Sequence, residues 1–175
     1  VYDVVIDLGL KPVFVDLDKD TLCFDCNQLK SSITEKTKAI LITYLFGLVP
    51  NLDELIGSCR KNNLFIIEDF SQCLNGAYEE KKVGTYGDVG VFSASSTKTL
   101  DVYGGGLLVC EDENYYKELK KHQSKLDKPS RYELLKKIAT NFVRNLATNK
   151  YFFTAVASPF LEWVEKRNPE VTSKY

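Results

Sequence analysis

The chain has 175 residues, 44% of them hydrophobic and 27% charged, enough for one domain with a sizeable core. Its 23 basic and 24 acidic side chains leave a net charge of −1, which excludes the electrostatic footprint of a nucleic-acid-binding protein. The apolar segment from Tyr151 to Val164 holds Pro159 and Glu162 and is too short to span a bilayer, so it is expected to pack on protein. Five cysteines (Cys23, Cys26, Cys59, Cys73 and Cys110) make an odd number, read as reduced packing residues of a cytoplasmic protein. Cys23 and Cys26 have CxxC spacing, but there is no second pair and His122 is the single histidine, so no metal site is expected.

In chain order, "VYDVVIDLG" places Val1, Val4, Val5 and Leu8 at helical spacing, with Gly9 as the stop. That helix lacks an N-terminal signal and the chain contains no methionine, so the sequence is expected to begin inside a longer protein. "KPVFVDLD" reads as a strand. Asp25 and Gln28 form a capping box that opens a helix through Ile33. "KAILITYLFG" is a buried strand, and Asn51 with Glu54 repeats the box before a helix whose apolar face is Leu52, Leu55, Ile56 and Cys59. "LFIIEDFSQ" is a third buried run, ending in Glu68 and Asp69. Strands alternating with helices imply βαβ units and a mostly parallel sheet, whose ligands bind beyond the carboxyl ends of its strands.

From Ala77 the rhythm changes. "AYEEKKVGTYGDVG" is turn-rich, and "VGVFSAS" and "GGLLVCED" read as an antiparallel or hairpin-like pair around the loop that carries Lys98. From Glu113 the pattern is helical, and Ser130 opens a basic amphipathic stretch through Asn149 with another capping box. The composition break near Lys128–Ser130 is the best candidate boundary.

Two residues stand out chemically. Asp69 ends a buried apolar run, where a charged carboxylate is costly without a partner. It either caps the next turn or meets a buried cation that is not a side chain, such as a protonated pyridine nitrogen. Lys98 is either a solvated loop lysine or an amine among Ser93, Ser95, Ser96 and Thr97, hydroxyls suited to phosphate oxygens. Thr97 stands where a Walker loop needs glycine, and "GGGLLV" lacks the third glycine of a dinucleotide fingerprint.

"KPVFVDLD", "KAILITYLFG", "FIIEDFSQ", "KKVGTYGDVGVFSAS", "STKTL" and "GGGLLV" together resemble the DegT/DnrJ/EryC1/StrS sugar aminotransferases over roughly Leu8 to Leu119. The resemblance implies an α/β, three-layer α/β/α pyridoxal-phosphate fold with a mostly parallel mixed sheet. Residues 1–128 would be its large domain, lacking an N-terminal part, and 129–175 a helical extension leading towards a small domain. By the family motif, Lys98 is the Schiff-base lysine, Ser93 holds the phosphate, Asp69 faces the pyridine nitrogen and Gln72 contacts the ring hydroxyl. The glycines after the loop would let backbone approach it closely. The implied reaction transfers an amino group from glutamate to a keto group of a nucleotide-linked sugar, in a cytoplasmic homodimer with no membrane span. Ser96 replaces the family's usual proline, and the family's N-terminal phosphate loop and stacking aromatic have no counterpart here. Alternatives are a non-catalytic homologue or another pyridoxal-phosphate reaction such as elimination; dehydratases of the group replace the lysine that Lys98 retains.

Overall fold

The computed structural model describes the chain except residues 95–97, 99, 101, 103, 129 and 168–175, and the side chain of residue 165. Two compact units divide it, Val1–Leu126 and a second that starts at Asp127.

In the first unit, helix α1 (Tyr2–Asp7) stops at Gly9, which takes φ +71°. The next segment departs from expectation. "KPVFVDLD" forms no strand, only an isolated antiparallel bridge between Leu17 and Phe24, and Val13 and Phe14 are exposed. A strand is held by a neighbour that satisfies its N–H and C=O groups, and no described strand lies alongside this one. Helix α2 (Cys26–Ser32) opens on Asp25, whose carboxylate accepts from the N–H groups of Asn27 and Gln28 at 2.9 and 3.1 Å. Gln28 does not close the expected box; its Oε1 accepts from the Asp16 N–H instead. Strand β1 (Ala39–Thr43) leads through a 3₁₀ turn to α3 (Leu52–Lys61). Asn51 caps α3, accepting from Glu54 N–H at 3.2 Å, but the Glu54 carboxylate pairs with Lys30 at 2.7 Å rather than returning to the cap. Strand β2 (Phe65–Asp69) follows, then a small ribbon of β3 (Ala77–Tyr78) and β4 (Lys81–Lys82). Strands β5 (Val89–Ser93) and β6 (Gly106–Val109) precede helix α4 (Glu113–Gln123).

The main sheet has the order β1-β2-β5-β6, the first three parallel and β6 antiparallel to β5. It is the mixed, mostly parallel sheet of an α/β fold. The pleat sends successive side chains to opposite faces. Ile40, Ile42, Ile66 and Glu68 share one face, packed with Leu29 of α2 and Leu52, Leu55 and Cys59 of α3. Full burial of each such Leu or Ile stabilises by about 1.5–3 kcal/mol. The ladder register puts Thr43, Asp69, Val91 and Ser93 on the other face. There Tyr115 of α4 meets Phe65 edge-on, ring centroids 5.2 Å apart.

In the second unit, α5 (Arg131–Ala147) opens on a full capping box: Glu133 N–H donates to Ser130 Oγ at 3.1 Å, and Ser130 N–H to the Glu133 carboxylate at 3.0 Å. Helix α6 (Lys150–Phe152), a π-helical turn (Phe153–Ala157) and α7 (Ser158–Arg167) form one further helical run. Its apolar side chains were expected to be covered by protein. Among the described residues Tyr151, Val156, Phe160, Leu161 and Trp163 are exposed.

Candidate active site

The carboxyl end of β2 carries two adjacent acids with different surroundings. Glu68 is completely buried and its carboxylate accepts three hydrogen bonds: Tyr44 OH at 2.5 Å, Gly84 N–H at 2.7 Å and Gly87 N–H at 2.5 Å. Burial, and then the Glu68 carboxylate beside it, push the Tyr44 phenol well above its ordinary range. The turn that supplies both glycine N–H groups sits directly on β5. Gly84 takes φ +87°, and a Cβ placed on Gly90 would stand 2.1 Å from the Gly84 carbonyl oxygen. Only glycines allow this approach. Asp88 completes the turn, accepting from Ile66 N–H at 2.7 Å and pairing with Arg60 at 2.8 Å.

Asp69, one residue on, is half-buried on the opposite face. Its Oδ1 accepts from Ser71 N–H at 3.0 Å and from Ser71 Oγ at 2.6 Å. Ser71 Oγ in turn accepts from Ser93 N–H at 2.8 Å. With its proton committed to Asp69 and a lone pair to Ser93, the buried Ser71 hydroxyl has one orientation. It ties the end of β2 to the end of β5. Asp69 Oδ2 receives no hydrogen bond from any described residue.

Ser93 is the last residue of β5, on the Asp69 face of the sheet, and its hydroxyl has no partner among the described residues. Lys98 is half-buried and makes no ion pair among the described residues; the neighbouring Ser95, Ser96 and Thr97 lie outside them. Gly104 and Gly105 take φ +105° and +110°, and Ala94 N–H donates to the Gly105 carbonyl at 3.0 Å. The glycine triplet thus approaches the start of the lysine loop by backbone alone. Gln72 Oε1 accepts from Phe46 N–H at 3.1 Å. That bond fixes the carboxamide, because an N–H needs the oxygen end, and leaves Nε2 as a donor. Phe46 holds a left-handed φ of +56° with its ring 81% exposed, an uncommon conformation for a bulky residue.

Asp69, Gln72 and Ser93 therefore fall on or just beyond the carboxyl ends of β2 and β5, and Lys98 belongs to the loop that follows β5. Ser71 and Glu68 were missed as organisers. For Ser71 the only signal was its place two residues after Asp69, which suits a local turn bond. A cavity of about 270 Å³ nearby, lined by Phe70, Phe92, Ala94, Leu100 and Leu107, offers no polar side chain among the described residues to anchor a ligand.

Chemically the set is coherent. A carboxylate with one unclaimed oxygen suits an N–H⁺ of a heterocycle, a strand-end hydroxyl suits a phosphate oxygen, and a lysine suits a carbonyl carbon. Those residue types fit pyridoxal phosphate.

Known proteins agree with this reading. The chain is 35% identical over 108 residues to GDP-perosamine synthase from Escherichia coli O157:H7, covering 62% of this chain and 30% of that protein. A structure of E. coli GDP-4-keto-6-deoxy-D-mannose-3-dehydratase with bound hydrated pyridoxal phosphate superposes with a TM-score of 0.63 at 33% identity, over 67% of this chain and 30% of the other. PseC from Helicobacter pylori, an aminotransferase involved in pseudoaminic acid biosynthesis, gives a TM-score of 0.65 at 28% identity, over 74% of this chain and 35% of that one. The chain spans about 30% of the length of the curated relatives it matches. The sequence pattern of one family fits residues 1–144: the chain belongs to the DegT/DnrJ/EryC1/StrS aminotransferase family.

Proposed function

We propose that the protein is a pyridoxal-phosphate-dependent aminotransferase that moves an amino group from glutamate to a keto carbon of a nucleotide-linked sugar, as a cytoplasmic homodimer. The observation that carries this reading is the Ser93–Ser71–Asp69 chain of hydrogen bonds, which orients Asp69 and leaves Oδ2 without a donor among the described residues. Pyridoxal phosphate, when bound, supplies the electron sink for the bond changes at the substrate carbon.

The chain's own residues do the rest. Asp69 Oδ2 would accept from the ring nitrogen, and its negative charge would favour the protonated form of that nitrogen. Ser93 Oγ would donate to a phosphate oxygen, and Gln72 Nε2 to the ring oxygen. Lys98 would be the amine that holds the cofactor, and its freed Nζ would serve as the base that takes and returns a proton at the substrate Cα. Lys98 also favours amino transfer over dehydration, since dehydratases of the group replace this lysine.

The test uses the full-length protein. Borohydride reduction should bleach the visible band of the lysine-bound cofactor, and peptide mapping should find the adduct on Lys98. Glutamate should convert the cofactor to its amine form, with 2-oxoglutarate released. An adduct on Lys81 or Lys82 would refute the site. Sugar deoxygenation without amino transfer would replace the reaction with the dehydratase one.

A further inference from the structure

The helical unit exposes more apolar surface than the site needs. On α5, Leu135, Ile138, Phe142 and Leu146 recur at helical spacing along one side, and all are exposed, Phe142 by 69%. Lys137 and Arg144 lie on the opposite side, with Lys136 at the flank. The run from Lys150 to Arg167 adds Tyr151, Phe153, Phe160 and Trp163, also exposed. Phe160 stacks on Trp163 at 6.0 Å, and the Arg167 guanidinium lies over the Trp163 ring at 4.2 Å.

Charge separates this unit from the rest of the chain. Residues 131–167 hold seven basic and three acidic side chains, whereas the remaining residues hold sixteen and twenty-one. No described helix is long and apolar enough to cross a membrane. Short helices with Leu and Phe on one side, Lys and Arg on the other and aromatic residues at the boundary lie in the plane of a lipid interface, attracted by anionic head groups.

We propose that residues 131–167 dock on the surface of an anionic lipid bilayer, with Phe142 and Leu146 in the acyl boundary and Lys136 and Lys137 among the head groups. Charge complementarity selects this occupant: a helix with an apolar side, and lysines at its flank and on its far side, matches a surface that is apolar below and anionic above. The proposal is independent of the reaction assigned to the sheet.

The experiment is flotation of the full-length protein with phosphatidylcholine vesicles, with and without phosphatidylglycerol. Flotation is expected only with phosphatidylglycerol, and it should weaken as salt rises. The double variant Lys136→Gln/Lys137→Gln should bind roughly thirtyfold more weakly. Both side chains are exposed, so this variant remains folded and informative if Phe142→Ser/Leu146→Ser does not. A protein that stays off anionic vesicles at low salt overturns the proposal, as does equal flotation of the lysine variant. Self-association that buries the aromatic residues without any vesicle binding also overturns it.

Discussion

Glu68 and Asp69 follow one another on β2, but the pleat gives them different neighbours. On the core face, Glu68 is surrounded by protein and accepts three hydrogen bonds from Tyr44, Gly84 and Gly87. On the opposite face, Asp69 has one oxygen doubly bonded by Ser71 and the other without a described donor. A buried carboxylate whose acceptor capacity is filled by its own chain holds elements together. One oriented by its own chain yet left with capacity is equipped to hold something else. Saturation, more than burial, separates the structural acid from the one assigned to chemistry.

The comparison can be broken most sharply at Lys98 and Asp69. Lys98→Ala should lower transamination by about 10³-fold or more while circular dichroism and thermal unfolding stay unchanged. Asp69→Asn should lower turnover by roughly 10²–10³-fold with the cofactor retained, since it removes the charge opposite the ring nitrogen. Unchanged turnover in Asp69→Asn would return this residue to a turn cap. Glu68→Gln should behave in the opposite way. Its carboxamide turns one acceptor into a donor facing N–H or O–H groups, so stability should fall by about 2–4 kcal/mol in urea titration. Residual activity per folded molecule should be near normal.

Ser71→Ala lies between the two acids. It removes the side-chain donor to Asp69, leaving the backbone one, together with the Ser93 acceptor, and should cost about 1–3 kcal/mol of stability. Turnover should fall about tenfold as Asp69 loses its orientation; Ser71→Thr, which keeps the hydroxyl, should restore it in part.

The smallest effect concerns Tyr44. Its folded pKa lies above the unfolded value near 10, so the unfolded chain loses this proton first as pH rises. The stability that depends on a protonated Tyr44, through its burial first and its bond to Glu68 second, is therefore present below about pH 10 and lost above it, by about 1.4 kcal/mol per pH unit. Tyr44→Phe should lack that component of the alkaline slope while losing about 1 kcal/mol at neutral pH.

These contrasts also mark what the sequence disclosed. The caps at Asp25, Asn51 and Ser130 were legible because each needs only its own next three residues. The reciprocal halves at Gln28 and Glu54 were not, since Asp16 and Lys30 compete for them from distant positions. Strands β1, β2 and β5 were readable as apolar runs, whereas "KPVFVDLD" has the composition of a strand without a described partner. Asp69, Gln72, Ser93 and Lys98 stood out by motif. Glu68 and Ser71 did not, because their roles depend on which face the pleat gives them and on glycine turns far along the chain.

The Glu68 donors have a consequence for the route to this structure. They come from positions 24, 16 and 19 residues away, on two segments that meet only after β1, β2 and the glycine turn have assembled. None can be engaged early in folding, when closing such loops still opposes the contact. The cluster therefore acts as a latch rather than a nucleus: it slows departure from the native state and contributes little to the speed of reaching it. In a chevron plot, Glu68→Gln belongs on the unfolding arm, with the refolding arm close to that of the unaltered chain.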